Sequence, residues 1–351
     1  MRGLEISLIG TNDIMKKSKI FIIAEIAQAH EGSLGIAHSY IDVLAACGVD
    51  AVKFQTHIAE AESSEFESFR VKFSYEDETR FDYWKRMEFT KEQWLGLKEH
   101  CDNKGIEFIS SPFSCAAVDL LEEIGVKRYK IGSGEMTNFL MLNKIAKTGK
   151  PIILSSGMSD YKELEECIAF LKPFGNEVSL LQCTTAYPTK PEQWGLRVIS
   201  ELKARFIIPV GYSDHSADIT AGISAVSLGA EILEFHVTFH NNMFGPDAKA
   251  SLTIEETKQL VRSVRAIEIA FNGENSKEDM SHFSELKNLF GKSLAVNKNL
   301  LKGHIISFED LESKKPGDMG ISAKEFQAVV GKKLLRDKDL WQFLSYSDLE
   351  N

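Results

Sequence analysis

The chain has 351 residues, 43% of them hydrophobic and 26% charged, which is enough apolar mass for a barrel of about 250 residues plus an appendage of about 60. A formal net charge of −10 argues against nucleic-acid or anionic-membrane binding, which needs clustered positive charge, though not against a small anion held by a few buried cations. No apolar run approaches the roughly 20 residues of a membrane span, no signal-peptide core precedes the first strand, and five cysteines without CxxC spacing read as free thiols of a reducing cytoplasm.

Residues 1–20 read as an N-terminal extension. Strand-like runs then alternate with helical patterns. "FIIAEIA" (21–27) precedes a helix from Ser33 to about Cys47, closed by Gly48. "AVKFQT" (51–56) is followed by an insertion and by a helix that Thr90 caps and Gly105 ends. "EFISSPF" (107–113) leads to helix 115–124, "RYKIGS" (128–133) to 139–148, and "PIILSSGM" (151–158) to 161–172. "VSLLQCT" (178–184) leads to 195–206, "IIPVGYSDH" (207–215) to 219–228, and "ILEFHVTF" (232–239) to 253–271. Eight alternations with near-continuous apolar strands point to an α/β fold, a closed (β/α)8 TIM barrel over 21–273. The rival is an open doubly wound sheet, but neither GxGxxG nor GxxxxGK[ST] is present.

Residues 58–89 are polar and rich in aromatics, and read either as a solvated excursion or as a lid over the barrel mouth. Residues 274–286 read as a linker. Residues 287–351 form a small Lys-rich module with a charge balance of +2, against −12 for the rest, which points to docking on a partner subunit.

Chemistry in such barrels sits at the C-terminal strand ends. Those ends carry Glu25, Lys53 with Gln55, Ser110 with Ser111, Lys130 with Ser133, Ser155, Thr185 with Tyr187, Ser213 with His215, and His236. Unpaired polar groups inside apolar strands cost roughly several kcal/mol, so their convergence marks a site. Lys53 and Lys130 fit a bound phosphate or carboxylate, a Schiff base, or, for one of them, an ion pair to Glu25 or Glu135. His215 and His236 end neighbouring strands and read as general acid–bases, core groups, or ligands of Mn, Fe, Co or Zn. As metal ligands they must be neutral, so activity is expected to fall below about pH 6. His30 is placed behind the site as a hydrogen-bonding group and His240 in solvent. His38, His57, His100, His282 and His304 look incidental. The Gly245-Pro246 turn either aims Asp247 across the mouth or is an ordinary surface turn.

"FIIAEIAQAHEGSLGIA", "GVDAVKFQT", "IEFISSPF", "YKIGSGEMTN", "PIILSSGM", "LQCTTAYPT", "VGYSDHS", "EFHVTF" and "GPDAKAS" occur in the order seen in N-acetylneuraminate (sialic acid) synthases. The chain resembles that family over nearly its whole length after residue 20. The tail, with "GKSLAV", "KKPGDMGIS" and "VVGKKL", resembles the family's SAF module, the fold shared with type III antifreeze proteins.

The resemblance implies condensation of phosphoenolpyruvate with N-acetylmannosamine or a related aldose. It implies that Lys53, Ser111, Lys130, Ser133, Ser155, Thr185 and Ser213 bind phosphoenolpyruvate, and that His215 and His236 hold Mn(II) or a similar cation. Glu25, Gln55, Glu135, Tyr187 and Asp247 would contact the sugar, with Glu25 also handling protons. The family forms domain-swapped homodimers in which one subunit's C-terminal module caps the other's barrel.

Four positions depart from the family pattern: Ala29-His30-Glu31-Gly32 for Asn-His-Asn-Gly, Phe239-His240 for Leu-Asp, Ala248 for His, and Lys315 for the arginine that touches the partner's sugar. Lysine cannot make arginine's planar, bidentate contact. The alternatives are the same chemistry on a legionaminic or pseudaminic acid precursor, or a metal-dependent aldolase or isomerase. Ice binding is opposed by about 20 charges in 65 tail residues.

Overall fold

Capping residues set the helix boundaries. Ser33, Thr90, Ser114, Asp160 and Thr253 each accept a hydrogen bond from the amide three residues on, satisfying a first-turn donor that has no helical partner. Gly48, Gly105 and Gly125 end three of these helices with φ of 84°, 73° and 80°, where a side chain would be strained.

The computed structural model describes residues 19–71, 73, 75–273, 277 and 279–350. Apart from Lys19 and Ile20, the N-terminal extension expected over 1–20 lies outside the described residues. The chain divides into two compact units, Met1–Gly273 and Glu274–Asn351.

In the first unit the order is β1 Phe21–Ala27, α1 Leu34–Cys47, β2 Ala51–Thr56, α2 Ala59–Glu62, α3 Arg80–Met87, α4 Lys91–Lys104 and β3 Glu107–Pro112. Then come α5 Cys115–Ile124, β4 Tyr129–Ile131, α6 Phe139–Ala146, β5 Ile152–Ser155 and α7 Tyr161–Leu171. β6 Val178–Cys183, α8 Leu196–Arg205, β7 Val210–Asp214, α9 Ile219–Ser227, β8 Ile232–Thr238, β9 Leu252–Thr253 and α10 Ile254–Asn272 complete it. The parallel ladder runs β3-β2-β1-β8-β7-β6-β5-β4. Pairing of the first strand with the last (Phe21↔Ile232 through Glu25↔His236) is what an open doubly wound sheet lacks. The unit is a (β/α)8 barrel.

Side chains alternate along a strand, so every second residue points into the barrel. Ile23, Ala51, Ile109, Ile153, Leu181 and Ile232 meet there as an apolar plug. One step of two residues further on stand Glu25, Lys53, Ser111, Ser155, Cys183 and Glu234, and these line a hollow above the plug. Gly211 supplies the space this layering needs in β7: a Cβ there would sit 2.4 Å from the Ile232 carbonyl oxygen. The larger apolar core lies between strands and helices.

The second unit contains α11 Ser284–Phe290, β10 Ser293–Val296, β11 Leu311–Lys314 and α12 Phe326–Val329, with β10 and β11 antiparallel. Its own core includes Leu294, Val296, Ile306, Ile321 and Leu344. Helix α11 begins inside the stretch that reads as a linker.

Candidate active site

Two adjoining hollows occupy the C-terminal end of the barrel. The inner one, about 60 Å³, is lined by Glu25, Lys53, Gln55, Ser111, Lys130, Ser133, Ser155, Tyr187, Ser213, His215 and His236 from the sequence reading, together with Cys183 and Glu234. The outer one, about 480 Å³, adds Glu135, Thr185 and Asp247 and shares Gln55, Ser133, Tyr187 and His236 with the inner. Fourteen of the sixteen residues singled out therefore converge; Ser110 lines neither hollow and bonds the Thr56 hydroxyl at 2.7 Å instead. Lys315 belongs to the second unit, where it is exposed and its ammonium lies 5.1 Å from the centroid of the Phe290 ring.

Both lysines are buried, and both are ion-paired. Lys53 pairs with Glu25 and lies 3.8 Å from Glu234, while Lys130 lies 3.3 Å from Glu234. Lys53 donates to Ser111 (3.3 Å), Lys130 to Ser155 (2.9 Å) and Ser213 to Glu234 (2.9 Å). Glu135, considered as a lysine partner, instead accepts from the Asn138 side chain (2.7 Å). The second partner is Glu234, which the sequence reading passed over, although it precedes His236 by two and so shares its face.

These charges shift one another. Burial opposes the charge on Lys53, but Glu234 and Glu25 outweigh it and hold the lysine above its ordinary pKa. Burial prevails at Lys130 and lowers it. Burial would raise Glu234, yet Lys130 and Lys53 bring it down to about 2. At Glu25 burial wins over the attraction of Lys53, and the pKa rises to about 7. One carboxyl is thus firmly ionised beside another poised to exchange a proton at neutral pH.

His215 and His236 stand with ring centroids 5.1 Å apart. The Nδ1 of His215 lies 3.1 Å from the Thr184 carbonyl oxygen and can only donate to it, so its Nε2 carries a lone pair and accepts from the Tyr187 hydroxyl at 3.2 Å. Burial lowers both imidazoles to about 3. Both are neutral, as divalent-metal ligands must be, and a cation at His215 Nε2 would take the place of the Tyr187 hydroxyl. Among the described residues no third His, Cys, Asp or Glu joins them in a metal-ligand cluster, so water or substrate would complete the coordination. Desolvation disfavours imidazolium and so moves the protonation of both rings well below the pH of about 6 at which a free histidine would take up its proton.

The same burial couples pH to stability. His30 and His57 are also held below 6.5, so the unfolded chain binds protons that the folded one refuses as pH falls. Glu25, Glu62 and Asp214, raised to about 7, 8 and 7, work in the opposite sense until their unfolded counterparts protonate near 4.5 for the glutamates and 3.8 for the aspartate. Calorimetry should find a nearly level thermal midpoint from about pH 6.5 to 5 and a steep fall from about pH 4.5 to 3.

The 58–89 segment is a wall of the mouth and not a solvated excursion. Glu62, Glu67, Arg70, Arg80 and Trp84 line the outer hollow. Tyr83, Trp84 and Met87 form a small core with Ala59, Phe69 and Phe73. Arg70 pairs with Asp247 (2.9 Å) and lies over the Tyr187 ring, and Arg86 pairs with Glu31 (2.9 Å). Asp247 does face the mouth. The unusual Glu31 thus serves as an anchor for this wall.

His57, read as incidental, is a correction: it is buried between the rings of Trp84 and Phe113 (centroids 3.7 and 4.5 Å away) and lines the outer hollow. The adjacent "HIAEAE" offered no periodic cue, because the contact depends on the insertion folding back. His30 is buried against Phe89 and lines neither hollow, and His240 is exposed.

A parallel barrel with paired lysines and carboxylates, serines and two neutral imidazoles at its strand ends defines a (β/α)8-barrel enzyme. A family model described as the NeuB family matches residues 40–277. The N,N'-diacetyllegionaminic acid synthase of Campylobacter jejuni is 38% identical over 320 residues, covering 90% of this chain and 95% of that protein. Human N-acetylneuraminate-9-phosphate synthase is 36% identical over 319 residues, covering 90% and 88%. A crystal structure of the N-acetylneuraminic acid synthetase of Leptospira borgpetersenii in complex with citrate matches with a TM-score of 0.69 and 32% identity, covering 77% of this chain and 91% of that one. The chain belongs to the NeuB family. It is an enzyme of the carbon–carbon bond-forming synthase type. Among the described residues, no helix is long and apolar enough to cross a membrane.

Proposed function

We propose that the chain condenses phosphoenolpyruvate with N-acetylmannosamine or a related open-chain aldose, giving a nine-carbon 2-keto acid and inorganic phosphate. The observation that carries this reading is the convergence of Lys53, Lys130 and serines Ser111, Ser133, Ser155 and Ser213 at the floor of the inner hollow, beneath a wider polar mouth. Cations and hydroxyls suit phosphate and carboxylate, while Gln55, Glu135, Thr185, Tyr187 and Asp247 suit sugar hydroxyls. Names of relatives support a nonulosonic acid product, including legionaminic acid.

In this reading C3 of the enol attacks the aldehyde carbon and the new alkoxide takes a proton. Water adds at C2, and the tetrahedral carbon then expels phosphate as its C–O bond breaks. The two lysines hold the phosphate throughout, at fixed positions that need no reorganisation during the reaction. Glu25 handles protons near neutrality. His215 and His236 fit a divalent cation, Mn(II) by family resemblance, which would polarise the aldehyde oxygen as a Lewis acid when bound.

The second unit we read as an SAF module that docks on the partner in a domain-swapped homodimer, with Lys315 toward the partner's sugar. Residues 287–351 within it carry a balance of +2 against −12 for the rest of the chain, which supports attraction between the two. The test is a panel of aldoses incubated with phosphoenolpyruvate, following phosphate and keto-acid. Products without phosphate release would favour an aldolase or isomerase instead.

A further inference from the structure

Glu62, His57, Gln55, Gln28 and Glu25 form one hydrogen-bonded chain from the mouth wall to the inner hollow, and valence determines its directions. Gln55 Nε2 donates to Glu25 Oε1 at 2.9 Å. Its Oε1 therefore faces the other way, where it accepts from Gln28 Nε2 at 2.9 Å and meets His57 Nε2 at 3.3 Å. An amide oxygen has no proton to give, so His57 Nε2 carries the hydrogen. Turning the Gln55 amide over would set its amino group against that of Gln28 and, while Glu25 is ionised, its oxygen against a carboxylate.

His57 is enclosed by Trp84 and Phe113, and burial, then Arg80, keep it neutral. With its one proton on Nε2, its Nδ1 is a bare lone pair. Yet Glu62 Oε1 lies 2.7 Å from that Nδ1. Two acceptors do not approach so closely, so the proton between them belongs to the carboxyl. We propose that Glu62 and His57 are positioning residues: Glu62, as a carboxylic acid, donates to His57 and thereby sets the tautomer that locks the Gln55 amide onto Glu25.

The surroundings agree. Burial raises Glu62 to about 8. Glu67 and Glu88 face it with like charge and Glu135 responds to its charge, Arg80 attracts, and the Ile58 amide donates to Oε2 at 3.3 Å. Ionisation of Glu62 would reverse the chain. His57 would move its proton to Nδ1, its Nε2 lone pair would confront the Gln55 oxygen, and Glu25 would lose a fixed donor.

Glu62→Gln separates this from a merely structural role, because its amide donates to Nδ1 at every pH. In protein labelled with ¹⁵N-histidine, with His57 assigned by its absence in His57→Asn, the wild type should show the Nε2–H tautomer at pH 7 and lose it with a midpoint near 8. Glu62→Gln should hold that tautomer throughout. An Nδ1–H tautomer in the wild type at pH 7 overturns the proposal.

The kinetic arm rests on the phosphoenolpyruvate reading. Glu62→Ala should lower kcat/KM about tenfold through loss of one buried donor, Glu62→Gln should recover most of that, and Glu62→Gln should lack the alkaline limb near pH 8. Coincident pH profiles of Glu62→Gln and wild type would also overturn it. Absence of phosphate release from every acceptor would instead sink the functional reading, leaving the tautomer result to stand or fall alone.

Discussion

Lys130→Met and Lys53→Met should each lower phosphate release by roughly 10³-fold, comparable to removing a preorganised charge from an active site. Each substitution also strands a buried carboxylate. Without Lys130, Glu234 keeps Lys53, at 3.8 Å, as its ion-pair partner among the described residues; without Lys53, Glu25 loses its own. Breaking such a pair costs about 3–5 kcal/mol, offset where the orphaned carboxyl takes up a proton. Glu25, already raised to about 7 with Lys53 in place, does this readily, while Glu234 without Lys130 is still held ionised by Lys53 at 3.8 Å and by the Ser213 hydroxyl at 2.9 Å. Lys130→Met is therefore the more destabilising of the two in denaturant titration. Calorimetry should show no phosphoenolpyruvate binding to either folded variant. Wild-type affinity in either would remove the anion site from the proposal.

The second large effect concerns the imidazoles. Chelation should abolish turnover and Mn(II) restore it, and His215→Ala and His236→Ala should each cost at least about 10²-fold. Metal content of the purified protein gives a readout independent of turnover, and each variant should lose the bound ion. Because burial places both histidines near 3, metal retention should persist down to about pH 4. Full activity in metal-free buffer would exclude the cation.

How much of this was legible follows from what each residue depends on. Near-continuous apolar runs announced the strands, and the polar interruptions Lys53, Lys130 and His236 stood out because a buried polar or charged group in an apolar run is costly. Glu234 was equally available by parity with His236, but it was masked by the more conspicuous histidine. His57, Glu62 and Arg70 had no such signal. Their roles arise from a segment of 58–89 that lacks long regular elements and takes its place through distant contacts, among them Phe73 on Phe244, Arg86 with Glu31 and Arg70 with Asp247, 177 residues away.

By itself the amino-acid sequence determined the eight strands, their helices, the barrel and most of the side chains at the strand ends, because caps, glycines and apolar runs act over a few residues. The tertiary structure alone decided who pairs with whom: Lys130 with Glu234, Lys53 with Glu25, His57 with Glu62. Those partnerships, and the proton placements that follow from them, depend on distances between strands and on exclusion of water, and neither exists until the chain has closed.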